Sequence, residues 1–87
     1  MPMPLKNDVN RDARIRILAI ERMLSTDRFI RATEIIRKLD LYYNIQCNRK
    51  TVYNDMYAID RFMPLEIKPG CKGGYRILKT DELYNGF

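Results

Sequence analysis

Residues 47–59 form the stretch Cys-Asn-Arg-Lys-Thr-Val-Tyr-Asn-Asp-Met-Tyr-Ala-Ile. It predicts a short helix, because an Asn in a capping position precedes an apolar stripe at helical spacing that includes Val52 and Met56. Two cations, Arg49 and Lys50, directly follow the cap. The positive end of the helix dipole disfavours each cation there by about 0.3 to 1 kcal/mol. A phosphate backbone bound at that helix end would reverse this penalty.

The composition indicates one small basic domain. The chain has 87 residues, which is enough for a single hydrophobic core. Apolar residues make up 46% and charged residues 31%, as is typical of a globular chain and not of a disordered one. The formal net charge of +5 favours a polyanionic partner.

The sequence offers little for catalysis or metal binding. It contains no His, and its two cysteines, Cys47 and Cys71, do not form a Cys-x-x-Cys pair. We therefore expect no enzymatic activity, no metal site and no cofactor. No apolar run is long enough for a membrane helix, and the N-terminal residues lack the apolar centre of a signal peptide. We expect a cytoplasmic protein that does not bind membranes.

The first half of the chain predicts a flexible segment and two helices. Residues 1–10, with two prolines, predict a flexible N-terminal segment. Residues 11–24 predict a helix with apolar groups on two sides, which either packs beneath two other elements or lends one side to a dimer partner. A second helix is expected to begin after Thr33 as its N-cap and to stop at about Tyr43, because Asn44 favours a left-handed terminating conformation.

The pattern changes from helix to strand after Pro64. Residues 65–68 and 75–78 alternate like two half-buried strands, whose apolar residues share one face. The segment between them holds three glycines and a proline, the composition of a hairpin loop. Residues 29–31 are long enough only for a bridging strand. Three helices followed by a hairpin predict an α+β, winged helix-turn-helix fold.

The boundaries of this domain are predicted at residues 11–79. Residues 80–87 are expected to form a C-terminal tail or the start of an extension. Asp55 in the third helix would repel DNA, and we expect it to pair with a neighbouring Arg and to shape the domain.

Two motifs resemble those of DeoR-like bacterial regulators, a group also known as helix-turn-helix type 11. Residues 48–55, Asn-Arg-Lys-Thr-Val-Tyr-Asn-Asp, resemble the Ser-Arg-Arg-Thr-Ile/Val-Tyr-Arg-Asp signature of their recognition helix. Residues 73–77, Gly-Gly-Tyr-Arg-Ile, resemble the Gly-Gly-Tyr-Arg-Leu that begins their second wing strand. The resemblance covers about residues 14–78 and implies a winged helix DNA-binding domain. Asn54 departs from the family's usual Arg and could place an adenine-reading amide there.

Three groups of residues are candidates for the DNA interface. The recognition-helix candidates for base or phosphate contacts are Arg49, Lys50, Tyr53 and Asn54. The wing or backbone candidates are Lys68, Lys72 and Arg76. The candidates for capping a helix or holding a phosphate are Thr33, Asn48 and Thr51. Two alternatives stay open: the Tyr53 ring also fits the edge of the core, and the wing cations also fit as charges that block strand addition.

The sequence thus predicts a transcriptional regulator that binds specific double-stranded DNA sequences, with the recognition helix in the major groove and a basic wing beside it. A homodimer on a two-fold operator fits the limited specificity of one such module. One alternative is a phage or plasmid replication or recombination accessory protein that binds DNA. Another is a winged-helix protein-interaction module, with an adhesive surface formed by Tyr42, Tyr43, Tyr53 and Tyr57.

Overall fold

The computed structural model describes residues 9–78, so the predicted tail at 80–87 and most of the predicted N-terminal segment lie outside the described residues. The elements in chain order are α1 (Val9–Leu24), α2 (Ala32–Tyr43), α3 (Arg49–Phe62), β1 (Leu65–Lys68) and β2 (Gly74–Ile77). The two strands pair antiparallel. Three helices followed by a two-stranded hairpin confirm the predicted α+β winged-helix layout.

Helix α1 supplies one wall of the core. It begins at Val9, two residues before the predicted start, so the last residues of the predicted flexible segment are helical. Ile20 and Leu24 are completely buried and belong to one core cluster with residues of α2 and α3. Leu18, on the other apolar side of α1, is exposed. Within the described residues, α1 is thus covered along one side only.

Helix α2 begins earlier than the sequence predicts, and Thr33 is not its cap. The N-cap is Arg31, whose backbone is extended (φ −91°, ψ 155°) and whose side chain makes no capping hydrogen bond. The Arg31 carbonyl accepts the N–H groups of Glu34 and Ile35, both at 3.0 Å. The preceding residue is paired with β2 and Ala32 is buried in the core. This packing overrides the capping preference of Thr33 and sets the helix start.

The turn between α2 and α3 follows the prediction. Asn44 adopts the left-handed conformation, with φ 54° and ψ 38°. The N–H of Ile45 donates to the Leu39 carbonyl at 3.0 Å, so the chain folds back and Ile45 packs against the core. The Asn48 side chain then accepts the N–H of Thr51 at 2.9 Å, which confirms the predicted cap of α3.

The interior side of α3 is the predicted apolar stripe. Val52, Met56 and Ile59 are all buried. The helix ends before Pro64 as predicted, since Pro cannot continue it, and the N–H of Met63 donates to the Ile59 carbonyl at 2.7 Å.

Strands β1 and β2, with the loop 69–73, form the hairpin that we call the wing. Its register pairs Leu65 with Ile77 and Ile67 with Tyr75, which confirms that these residues share a face. Leu65, Tyr75 and Ile77 pack against the core. Ile67 lies beyond the edge of the core and is 68% exposed.

A β-bridge between Ile30 and Tyr75 attaches the wing to the helices and confirms the predicted bridging strand. The N–H of Ile30 donates to the Tyr75 carbonyl at 2.9 Å, and the N–H of Tyr75 donates to the Ile30 carbonyl at 2.8 Å. Gly74 makes this close pairing possible. Its φ is +145°, and a Cβ on it would lie 2.4 Å from the Ile30 carbonyl oxygen.

A buried ion pair joins α1 to α3. Asp55 is only 5% exposed, and the Arg16 guanidinium donates to both of its carboxylate oxygens, from Nη2 to Oδ1 at 3.1 Å and from Nε to Oδ2. The hydrogen bond to Asp55 raises the pKa of Arg16 above its ordinary value, although partial burial acts in the opposite direction. The predicted pairing of Asp55 with an Arg is confirmed, and Asp55 is part of the scaffold.

Candidate nucleic-acid interface

A groove of about 370 Å³ lies where the start of α2, the start of α3 and the wing meet. Three cations line it: Arg31 at the cap of α2, Arg49 at the start of α3 and Lys68 at the end of β1. No acidic side chain is among the described residues that line it. We call this feature the cationic groove. Its charge suits a phosphate group.

The N-terminal end of α3 opens towards this groove. Arg49 is its first helical residue and is exposed. The first turn of α3 contains no acidic residue. The partial positive charge of the helix end and the charge of Arg49 therefore attract an anion to the same place.

Arg31 connects the wing loop to the start of α2. Its Nη1 donates to the Cys71 carbonyl at 2.9 Å, across 40 positions of sequence. This bond holds the loop beside α2 and thereby fixes one edge of the cationic groove. The other N–H donors of the guanidinium stay available for an anion, because an Arg side chain carries several donors in a planar fork.

Lys68 has an aromatic neighbour. Its Nζ lies 5.7 Å from the centroid of the Phe29 ring, within the range of a cation–π contact. Phe29 directly precedes the bridging residue Ile30, so the same short segment positions the wing strand and the Lys68 side chain. Lys68 is exposed and can turn its ammonium group towards a ligand in the groove.

Two tyrosines form a wall of the cationic groove. The rings of Tyr53 on α3 and Tyr75 on β2 meet edge to face, with centroids 6.3 Å apart and an interplanar angle of 67°. Both rings are half-buried. Tyr53 packs against the edge of the core, as one of the two alternatives predicts, and it also lines the groove. Desolvation, and next the neighbouring Tyr53 phenol, raise the pKa of Tyr75. Tyr75 therefore stays a neutral phenol near neutral pH.

The structure brings some of the predicted site residues together and separates others. The predicted residues that line the cationic groove are Thr33, Arg49, Tyr53 and Lys68. Lys50 and Asn54 are exposed on α3 but do not line the groove, and Lys72 is exposed in the wing loop. Asn48 and Thr51 form the cap of α3, as expected.

Arg76 has a structural part in the wing that the sequence did not predict. Its Nε donates to Glu66 Oε1 at 2.8 Å, and its Nη1 donates to the Asp27 carbonyl. Its guanidinium carbon lies 4.2 Å from the centroid of the Phe29 ring. These contacts fasten the wing to the segment that precedes α2. The predicted contact of Arg76 with DNA stays a prediction.

Both cysteines are free thiols. Cys47 packs against the core, and desolvation raises the pKa of its thiol although the nearby Arg16 charge acts in the opposite direction. A thiol with a raised pKa is a poor nucleophile near neutral pH. Cys47, directly before the cap of α3, therefore has a packing role.

The sequence did not single out Arg31. Acidic residues are interspersed among the cations around it, so each of these cations resembles an ordinary surface charge. The signal that could have identified Arg31 is its position between the bridging residue Ile30 and the first turn of α2. A residue at such a junction lies where strand, helix and wing meet.

No protein-family model, curated protein or solved structure matches this chain. Of the helices in residues 9–78, none is both long and apolar enough to cross a membrane. In the same residues, no three His, Cys, Asp or Glu side chains are grouped so that they could hold a metal ion. The charge and shape of the cationic groove therefore carry the functional interpretation.

Proposed function

We propose that this chain binds specific sequences of double-stranded DNA and acts as a transcriptional regulator. The observation that carries the proposal is the cationic groove, which three cations line without an acid. A DNA strand offers a row of phosphates to such a groove, and each cation that neutralises a phosphate releases a counterion. The same surface exposes the start of α3, where a winged helix domain would reach base edges.

The residues have separate tasks in this proposal. Arg31 and Lys68 contact phosphates from the two sides of the groove, and Thr33 adds a hydroxyl beside the start of α2. Lys50 and Asn54, on the exposed side of α3, enter the major groove, where the Asn amide pairs with adenine. Arg49 lies between these two regions.

The resemblance of residues 48–55 and 73–77 to DeoR-like regulators supports a regulatory role in bacteria or their phages, and hence a cytoplasmic location. A homodimer on a two-fold operator belongs to the proposal because one winged helix reads few bases. A replication or recombination accessory protein would use the same DNA contacts. The protein-interaction alternative would use exposed tyrosines such as Tyr57 and Tyr42, which are 72% and 68% exposed. It becomes the preferred interpretation if the protein binds no duplex DNA.

The variant Arg49→Ala tests the proposal. We expect it to weaken binding to the preferred duplex, selected from a random library, by about 1 to 3 kcal/mol, because a charged contact at the start of α3 is lost. The measurement is a fluorescence anisotropy titration at fixed salt concentration. A base contact of Arg49 would also relax sequence preference at one position, whereas a phosphate contact would weaken all duplexes alike.

The matched control is Arg37→Ala. Arg37 is exposed on α2 and does not line the cationic groove, and the substitution removes the same charge. We expect its effect on affinity to be much smaller. Equal effects of the two variants would show that only the net charge matters, and would refute the assignment of the groove.

A further inference from the structure

A second groove, of about 190 Å³, lies between α3 and the wing. It shares Tyr53, Ile67 and Tyr75 with the cationic groove, so the two grooves adjoin along this wall. Its other lining residues are Met56, Tyr57, Asp60 and Leu65. We call it the tyrosine groove.

The tyrosine groove has large apolar side chains that the described part of the protein does not cover. Tyr57 is 72% exposed and Ile67 is 68% exposed, and they lie on α3 and β1 respectively. Large exposed apolar groups that flank one groove are characteristic of a binding surface. Aromatic side chains such as Tyr57 offer a flat face on which a planar ligand can stack.

The charges of the two grooves are opposite. The cationic groove is lined by three cations and no acid, whereas the tyrosine groove is lined by one acid, Asp60, and by no cation among the described residues. A phosphate is therefore attracted to the first groove and disfavoured in the second. The ligand that suits the tyrosine groove is flat and uncharged, and carries a hydrogen-bond donor for Asp60.

Asp60 can accept such a donor. Its Oδ1 accepts the N–H of Leu65 at 2.8 Å, which fixes the carboxylate at the junction of α3 and β1. A carboxylate has further lone pairs, so the other oxygen can accept from a ligand. The exocyclic amines of cytosine, adenine and guanine are donors of this kind, and so are the ring N–H groups of guanine and thymine when the base is unpaired.

We propose that the tyrosine groove holds an unpaired nucleobase of the DNA strand whose phosphates lie in the cationic groove. This inference rests on the proposed DNA binding. One strand has both parts that the adjoining grooves select, since its backbone is anionic and its bases are flat, uncharged and rich in donors. The base must be unpaired, because the faces of a base in a duplex are covered by its stacked neighbours.

The protein therefore prefers a duplex that ends in a single-stranded overhang to a fully paired duplex. The unpaired base stacks on the ring of Tyr57. Ile67, on β1, lies on the other side of the groove, and Asp60 lies at the edge of the base. Stacking of one base on an aromatic side chain strengthens binding by roughly tenfold. The hydrogen bond to Asp60 adds to the stacking, because every unpaired base has at least one N–H donor on its edge.

The experiment compares one preferred duplex in three forms: blunt, with a short cytosine overhang, and with an abasic overhang of equal length, which keeps the phosphates and lacks the bases. Overhangs are placed in turn at the 5′ and 3′ ends, and affinities are measured at one salt concentration. We expect wild-type protein to bind the cytosine overhang of one polarity about tenfold more tightly than the blunt duplex. The abasic overhang should bind no more tightly than its added phosphates allow, because it has no base to stack on Tyr57.

Three variants assign the effect to the groove, two at Tyr57 and one at Asp60. Tyr57→Ala should abolish the advantage of the overhang, and Tyr57→Phe, which keeps the ring, should retain it. Because Tyr57 is exposed, both variants are expected to unfold at nearly the wild-type denaturant midpoint, which is measured as a control. Asp60→Asn keeps an oxygen for the Leu65 N–H but replaces the second oxygen by an NH2 group, which cannot accept from the base, and should reduce the advantage of the cytosine overhang.

The outcomes separate this inference from the proposed function. Binding of blunt duplex without any overhang advantage would overturn the inference and leave the proposed function standing. Absence of binding to every DNA form would overturn both. A uniform loss of affinity in Tyr57→Ala would make Tyr57 a duplex contact and overturn the inference. A change from dimer to monomer in Tyr57→Ala, with no effect of overhangs, would make the groove a contact between two copies of the chain.

Discussion

Replacing Asp55 with Ala is expected to lower the free energy of unfolding by about 3 kcal/mol, near the lower end of the range for breaking a buried ion pair. The cost arises because Arg16 would keep its charge in a partly buried place without a partner. The Arg16 side chain is 20% exposed, so water partly solvates its charge. The expected loss of stability therefore stays near the lower end of the range. A small domain has only about 5 to 15 kcal/mol of stability, so the loss is a large share of the total.

Urea unfolding followed by circular dichroism measures this effect. The double variant Arg16→Leu/Asp55→Leu should recover most of the stability, since it removes both charges and fills the space with apolar groups. Asp40→Ala, at an exposed position of α2, is the matched surface control and should change stability by no more than about 0.5 kcal/mol. An Asp55→Ala effect as small as this control would contradict the scaffold role of the pair.

The substitution Gly74→Ala is expected to destabilise the protein by roughly 2 to 5 kcal/mol. About 1 to 2 kcal/mol comes from a side chain at positive φ, and about 1 to 3 kcal/mol from the backbone shift that the new Cβ forces. That Cβ would lie 2.4 Å from the Ile30 carbonyl oxygen, so the bridge between Ile30 and Tyr75 must open. The wing would then lose its attachment to the start of α2.

The control for this prediction is Gly70→Ala. Gly70 also has positive φ, at +104°, but a Cβ there would meet no heavy atom within 4 Å. The difference between the two variants in thermal or urea unfolding therefore isolates the close approach to Ile30. Amide hydrogen exchange at Ile30 and Tyr75 should accelerate in Gly74→Ala only. Equal destabilisation by both substitutions would show that the bridge contributes nothing to stability.

The elements that local sequence determines could be predicted well. Asn48 forms a cap with its own side chain, Asn44 reverses the chain in a left-handed conformation, and Pro64 prevents further helix. Each of these signals acts within a few residues, so no knowledge of the remaining fold is needed. The same holds for the alternation that defines the wing strands.

Several features that tertiary contacts determine could not be predicted. Thr33 is a better cap than Arg31 by local preference, yet the helix begins after Arg31 because the bridge to β2 fixes the preceding residue. The hydrogen bond from Arg31 to Cys71 and the contacts of Arg76 with Asp27 join parts of the chain that are 40 and 49 positions apart. Such pairings depend on how the wing docks, which no local pattern encodes.

The salt dependence of the affinity for duplex DNA tests the proposed DNA binding most directly. Each neutralised phosphate contributes about −0.9 to the slope of log affinity against log salt concentration. If Arg31, Arg49 and Lys68 each neutralise one phosphate, the slope is about −2.7 or steeper, since cations outside the groove add to it. We predict this slope for wild-type protein on its preferred duplex. A flat response, or no binding to any duplex at low salt, would contradict the assignment of the cationic groove to DNA.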